Sequence, residues 1–228
     1  PPLQEAIELY GPVKMQCNGQ TECIHLTLMR KEAHRLDKPE RLASCGRPPA
    51  GVRMALLDGE GSEVPRGEIG EVCVRSAAVM RGYWQRPDAT AETLAGDWLH
   101  TGDLGYQDEE GFLYLVDRAK DMIISGGFNV YPREVEDVLT AHPAVAMAAV
   151  IGVPDEKWGE KVIAVVVPRA GESVSAEELI ALVKDKKGAI QAPKQVDVVD
   201  ALPQTALGKT DKKVLRQQYW GDAERMVN

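Results

Sequence analysis

The sequence predicts an α+β fold in two parts, a β-rich part followed by a small α/β domain. Three observations point there. Residues 51–116 hold three strand-like runs bounded by turns rich in glycine and aspartate. Beyond Arg118, strand and helix patterns alternate over about 110 residues, enough for an independent small domain. Between them, Asp117-Arg118-Ala119-Lys120 reads as a link. The parts are therefore set at 1–117 and 118–228, with the β-rich region starting near residue 46.

The elements follow in order. Residues 2–9 suit a short helix, 13–17 a strand and 19–22 a turn, while 31–45 are polar and loop-like. Strands are expected at 52–57, 69–74 and 112–116, with turn material at 58–61. Residues 87–94 carry helix-start chemistry with Asp88 as the cap, and Thr101-Gly102-Asp103 reads as a tight turn. In the second part, 122–125 form a short strand, and Pro132 suits the first turn of a helix ending near Ala141. Residues 145–153 and 161–167 are apolar strands. Ser175 and Glu178 make a capping box for a helix to about Lys187. A further strand spans 196–199, and Asp211 caps a last helix through about Tyr219.

Composition narrows the class. Hydrophobic residues make up 44% and charged residues 27% of the 228, ordinary for a soluble globular protein. The net charge of −8 argues against a nucleic-acid partner. Four cysteines form no Cys-x-x-Cys pair and have no histidine cluster beside them in sequence, so neither a zinc site nor a disulfide framework is expected. Reduced thiols, and with them a cytoplasmic location, are the expectation. No apolar run approaches the ~20 residues of a membrane span, and no signal-peptide pattern is read. The start at Pro1-Pro2-Leu3, without a methionine, suggests a fragment.

Several residues carry candidate chemistry, each beside a plainer reading. Asp103 can accept two hydrogen bonds from a ribose diol, or it closes its turn. Arg118 follows a strand and offers five donors to ribose or phosphate, or makes a surface ion pair. Lys209, on a polar glycine-containing loop, can neutralise charge developing in a transition state, or is simply solvated like Lys212 and Lys213. Glu22 offers oxygen to Mg²⁺ and Thr21 a hydroxyl to phosphate, or both shape a surface turn. Ser125-Gly126-Gly127 lets backbone approach a ligand closely, or merely links a strand to a helix. Trp158 stacks on an adenine or lids the small domain's core.

The order and spacing of six motifs carry more than any one of them. They are Gly19-Gln20-Thr21-Glu22, Gly67-Glu-Ile-Gly70 with Arg81-Gly-Tyr-Trp84, Thr101-Gly-Asp103, Asp117-Arg-Ala-Lys-Asp121, Ser125-Gly-Gly-Phe-Asn129 and Pro203-Gln-Thr-Ala-Leu-Gly-Lys209. With them the chain resembles the AMP-forming acyl-CoA synthetases of the adenylate-forming superfamily, which also includes luciferases and peptide-synthetase adenylation domains. The resemblance covers nearly the whole chain but only the C-terminal portion of a usual member. It implies the β-rich end of a large adenylation domain followed by a small mobile C-terminal domain. It also implies ATP, Mg²⁺ and coenzyme A as cofactors and a small carboxylic acid as substrate, in a setting such as fatty acid metabolism. The N-terminal part of the same enzyme would be a partner, and homodimer formation is left open.

The resemblance further implies that Gly19, Gln20 and Thr21 contact the nucleotide and Glu22 holds Mg²⁺. Asp103 would bind the ribose hydroxyls with help from Arg118, and Lys209 would stabilise the adenylation transition state. Lys120 would be the hinge about which the small domain turns, bringing Ser125, Gly126 and Gly127 to the pantetheine passage. Trp158 and Lys194 would lie near the coenzyme A nucleotide. Three departures stand out. Asn18 replaces an aromatic residue, only Lys194 remains of a basic and aromatic approach, and the phosphate loop with its lysine is absent. The expectation is thus a C-terminal fragment of an acid–thiol ligase, inactive alone. The alternatives are an adenylation domain loading a carrier-protein thiol and a non-catalytic module that retains the fold.

Overall fold

A computed structural model of the chain describes residues 2–220. The chain divides between Ala119 and Lys120 into two compact units, each with its own core.

The first unit begins with helix α1 (Pro2–Tyr10) and a hairpin of β1 (Gln16–Gln20) and β2 (Cys23–Met29). Only Thr21 and Glu22 separate the strands, and Gln20 pairs with Cys23. Gly19 is needed here for space, since a Cβ would stand 1.7 Å from the Ile24 carbonyl oxygen. An antiparallel meander follows: β3 (Val52–Leu57), β4 (Gly70–Ser76), β5 (Leu99–Gln107) and β6 (Leu113–Arg118). Helix α2 (Pro87–Thr93) lies between β4 and β5 in the chain. Cys23 and Leu26 of the hairpin are buried with Val74 and Leu99 of the sheet.

The segment at Cys45–Arg47 joins hairpin to sheet. Leu28 and Arg47 exchange backbone hydrogen bonds of 2.8 and 2.9 Å. Cys45 N–H donates to the Leu113 carbonyl (2.7 Å), and Leu113 N–H to that of Gly46 (2.9 Å). The Thr27 hydroxyl donates to the Cys45 carbonyl at 2.6 Å. This staple fixes the Thr21–Glu22 turn relative to β6.

The second unit has a five-stranded sheet. Its elements are β7 (Ile123–Ser125), β8 (Phe128–Val130), α3 (Pro132–Thr140), β9 (Val145–Asp155), β10 (Gly159–Pro168), α4 (Ala176–Lys187), β11 (Gln195–Val198) and α5 (Lys212–Trp220). The long apolar runs of β9 and β10 are buried on both faces, as a period of two requires. Val162, Ala164 and Val166 pack with Val135 and Leu139 of α3 and Leu179 and Val183 of α4. Ile163 and Val165 pack with Ile151 and with Leu215 of α5. Ser175 caps α4 by accepting from Glu178 N–H, and Asp211 accepts from Lys213 and Val214 N–H at the start of α5. Ion pairs Lys212–Glu136 and Arg216–Asp121, both 2.7 Å, and a 2.8 Å bond from the Trp220 indole N–H to the Gly152 carbonyl hold α5 in place.

Several expectations need correction. Thr101-Gly102-Asp103 is not a turn; it lies inside β5 as a bulge. Strand β2 was not expected, because its Cys-Ile-His-Leu-Thr-Leu-Met run lacks alternation. Strand β8, three residues long, was not expected either. Strand β1 starts at Gln16 rather than 13, with Val13 and Met15 exposed. Asp88 does not cap α2; Arg86 stands at the cap position without a side-chain bond. The small sheet is mostly antiparallel, with β10–β11 its parallel pair. Among the described residues no helix is long and apolar enough to cross a membrane.

The staple yields a prediction. Gly46 has φ +90°, and a Cβ there would meet the Leu28 backbone at 2.3 Å. Gly46→Ala should lower stability by more than about 1 kcal/mol in urea denaturation, whereas Gly59→Ala, with open space at its Cβ, should change it far less.

Candidate functional site

The first unit carries an open cleft of about 640 Å³. Gln20, Thr21 and Glu22 reach it from the hairpin turn, Arg118 from the end of β6, and Gly102 from β5. The bulge builds its floor. Glu71 pairs with Leu104, and Cys73 pairs with His100. Three residues, Thr101 to Asp103, therefore stand opposite Val72 alone. Gly102 takes φ +71°, a conformation costly for other residues. Thr101 is buried and donates its hydroxyl to the Val72 carbonyl (2.7 Å), while the same oxygen accepts from Asp103 N–H (3.1 Å).

On the other edge of β5 the ladder with β6 shifts between Leu104 and Gly105, where Val116 is the extra residue, and sets Asp103 directly across from Arg118. Their side chains form an ion pair of 2.6 Å, the carboxylate largely buried and the guanidinium half exposed. Sequence reasoning singled out both residues, and the structure brings them together. It did not single out Tyr83, Glu71 or His100. The Tyr83 hydroxyl donates to the Glu22 carboxylate at 2.6 Å, and this bond, followed by desolvation, pushes the phenol pKa up. Glu71 accepts from Gly102 N–H (2.9 Å) and lies 2.7 Å from His100 Nδ1. Burial, with the Glu71 charge beside it, pushes the Cys73 thiol up to about 12. Tyr83 stood within a quoted motif, but its partner lies 61 residues away. Glu71 and His100 meet only through strand register. Asn18 points its side-chain nitrogen into a buried position where it finds no partner among the described residues.

The second unit gathers other predicted residues. Gly126 (φ +59°) and Gly127 (φ +83°) make the turn between β7 and β8. Gly126 N–H donates to the Trp158 carbonyl (2.8 Å), and a Cβ at Gly126 would stand 2.9 Å from the Trp158 ring. Asp155 shapes the Trp158 loop by accepting from Lys157 and Trp158 N–H at 3.0 Å each. The ammonium of Lys194 lies 5.4 Å from the Trp158 ring centre and donates to the Ala189 carbonyl at 2.8 Å. Ser125 is buried at the end of β7. Glu160, a buried carboxylate missed in the sequence, accepts from Ile124 N–H at 2.9 Å and steadies that strand. Its signal was a single acid at the head of an apolar run.

Lys209 stands apart from this group on an exposed loop closed by backbone bonds. Thr205 N–H donates to the Lys209 carbonyl (2.7 Å), and Gly208 N–H to that of Thr205 (2.9 Å). Lys120 is the first residue of the second unit and lies within the short 3-10 turn Ala119–Asp121.

A cleft pairing a carboxylate with a guanidinium, in a chain with a second glycine-loop unit, matches a known class. Residues 2–84 match the AMP-binding enzyme model, and residues 134–209 match the AMP-binding enzyme C-terminal domain. The chain belongs to the AMP-binding enzymes. It is 51% identical over 234 residues to the medium/long-chain-fatty-acid–CoA ligase FadD8 of Mycobacterium tuberculosis, covering 99% of this chain and 40% of that protein. It is 40% identical to the fatty acid–(acyl-carrier-protein) ligase ScoC of Streptomyces coeruleorubidus, covering 99% of this chain and 44% of that one. Among solved structures, the amide bond synthetase McbA from Marinactinospora thermotolerans matches with a TM-score of 0.84 and 43% identity, over 96% of this chain and 44% of that one. The chain spans less than half the length of these relatives.

The glycine turn can be tested directly. Gly126→Ala should displace the Trp158 indole and shift its N–H resonance in NMR spectra, while that of Trp98, in the other unit, stays in place. An unmoved Trp158 signal would show that the close approach at Gly126 is not a constraint.

Proposed function

We propose that the chain is the C-terminal part of an AMP-forming acid–thiol ligase that makes acyl-CoA from a carboxylic acid, ATP and coenzyme A. In the first half-reaction a carboxylate oxygen attacks the α-phosphorus of ATP and pyrophosphate leaves. In the second, the coenzyme A thiol attacks the acyl carbonyl and AMP leaves. The observation that carries this reading is the Asp103–Arg118 pair beside the Thr21–Glu22 turn. Asp103 offers acceptors to a ribose diol, and Arg118 donors to the adjoining phosphate. Gln20 and the backbone of Gly19 would flank the nucleotide, and Thr21 would donate to phosphate.

The cleft's charge supports a divalent cation. Glu22, Glu71 and Glu92 line it against Arg118. A polyphosphate entering alone would meet net repulsion. Glu22, with one oxygen held by Tyr83, retains acceptor capacity for Mg²⁺, which favours oxygen ligands shared with phosphate. The cation would neutralise charge on the departing pyrophosphate.

The second unit's residues fit the remaining steps. Lys209 sits on a loop whose backbone is already closed, so its ammonium can be presented with little reorganisation. Rotation at Lys120 would exchange Lys209 for the Gly126–Gly127 turn between half-reactions, a gating step of familiar kind. Trp158 and Lys194 would meet the coenzyme A nucleotide, a ring face and a cation on one surface. The likeness to the two fatty-acid ligases favours a fatty acid as substrate, and the free cysteines favour a reducing, cytoplasmic setting. A second reading, transfer to a carrier-protein thiol, is favoured by the likeness to ScoC.

The test uses the full-length enzyme. Lys209→Ala should slow pyrophosphate release from ATP and a fatty acid about 100- to 1,000-fold, with stability unchanged. Asp103→Asn should raise the KM for ATP about tenfold or more. Near-normal adenylation in Lys209→Ala would overturn its assigned role. Thioester formation with free coenzyme A, set against a phosphopantetheinyl carrier protein, separates the two readings.

A further inference from the structure

One group of side chains at the edge of the cleft is assigned no ligand by the proposed reaction. Glu71 and Cys73 lie two residues apart on β4, so they share a face of the sheet. Cys73 pairs with His100 on β5. The Cys73 sulfur is 3.4 Å from His100 Nδ1, and Glu71 Oε2 is 2.7 Å from that nitrogen. One sulfur, one nitrogen and one oxygen thus lie within 4.8 Å of one another. In linear sequence Cys73 and His100 are 27 residues apart, so spacing hides the group and register creates it.

We propose that Glu71, Cys73 and His100 form a binding site for a thiophilic divalent cation of the Zn²⁺ class, with water as the fourth ligand. Thiolate, imidazole and carboxylate together select such ions over Mg²⁺, which prefers six oxygens. The size fits. Zinc bonds of ~2.0–2.3 Å place tetrahedral donors about 3.3–3.6 Å apart. The sulfur and nitrogen already meet that, and Glu71 needs to withdraw by roughly half an ångström. The histidine would take the tautomer that frees Nδ1, and the thiol proton would leave to solvent.

The surroundings fit as well. Cys73 is fully buried, whereas Glu71 and His100 each keep about a quarter of their side-chain surface exposed and line the cleft. The cation would be enclosed on the sulfur side and open to water on the other, a catalytic or regulatory style of site rather than a closed structural one. Glu71 Oε1 still accepts from Gly102 N–H, so the ligating carboxylate is itself oriented by a second bond. Occupancy would therefore act on the bulge that carries Asp103. The site does not depend on the proposed reaction.

The test is titration of the full chain with Co²⁺ as the probe, followed by the near-ultraviolet thiolate-to-cobalt absorption. One equivalent should saturate it, and Zn²⁺ should displace it. The band should persist in Cys17→Ser, which removes an exposed thiol, vanish in Cys73→Ser, and need about tenfold more metal in His100→Ala or Glu71→Gln. Circular dichroism checks that each variant folds. If Cys73→Ser does not fold, cadmium NMR of the unsubstituted chain decides, since one sulfur among nitrogen and oxygen ligands gives a distinct shift. A band that survives Cys73→Ser, a cadmium shift without sulfur character, or no band at about millimolar Co²⁺ would overturn the proposal.

Discussion

The bulge in β5 is the constraint on which the cleft depends. A regular β5 would leave Gly102 with an ordinary partner on β4. Three residues facing one instead turn the Gly102 N–H toward Glu71, and the extra residue Val116 on β6 sets Asp103 against the guanidinium from the other side. Thr101 makes this affordable by burying its hydroxyl between the Val72 carbonyl and the Asp103 N–H. Bulges concentrate near functional sites because they re-aim side chains that a plain ladder would alternate away. Here Thr, Gly and Asp each answer a separate geometric demand.

The second unit follows another logic. Its sheet is buried on both faces, so β10 must be apolar at every position from Val162 to Val166. Chemistry is therefore confined to connections: the Gly126–Gly127 turn, the Trp158 loop and the Lys209 loop. Each is shaped by bonds it does not share with a ligand. Asp155 shapes the tryptophan loop, Thr205 the lysine loop, and Glu160 the strand before the glycines. Rigid loops on a dry sheet can present groups without ordering them afresh at each turnover.

Much of this was legible in the sequence, and unevenly so. Strand β3, the α4 cap and the Asp211 cap depend on local pattern or on side chains within a few residues. Such features read directly. The α+β class read from the alternation of patterns, and the order of motifs placed the chain in its family. The bulge did not read, because Thr-Gly-Asp has the composition of a turn and only pairing with β4 and β6 reveals otherwise. Strand β2 did not read because its inward residues, Cys23, Leu26, Thr27 and Met29, follow no simple alternation. Tyr83 with Glu22, and Cys73 with His100, join residues 61 and 27 positions apart. Contacts of that kind belong to the register of strands, which no single stretch of sequence encodes.

The pairing of Asp103 with Arg118 has a consequence for how any ligand arrives and leaves. The two groups already satisfy one another, at 2.6 Å and with the carboxylate mostly shielded. A newcomer that displaces their mutual bond gains a difference of energies rather than a sum. The pocket behaves as an exchange counter rather than an empty socket. Its selectivity rests on matching two opposite charges at once, and a ligand that displaces the pair competes with the pair closing again.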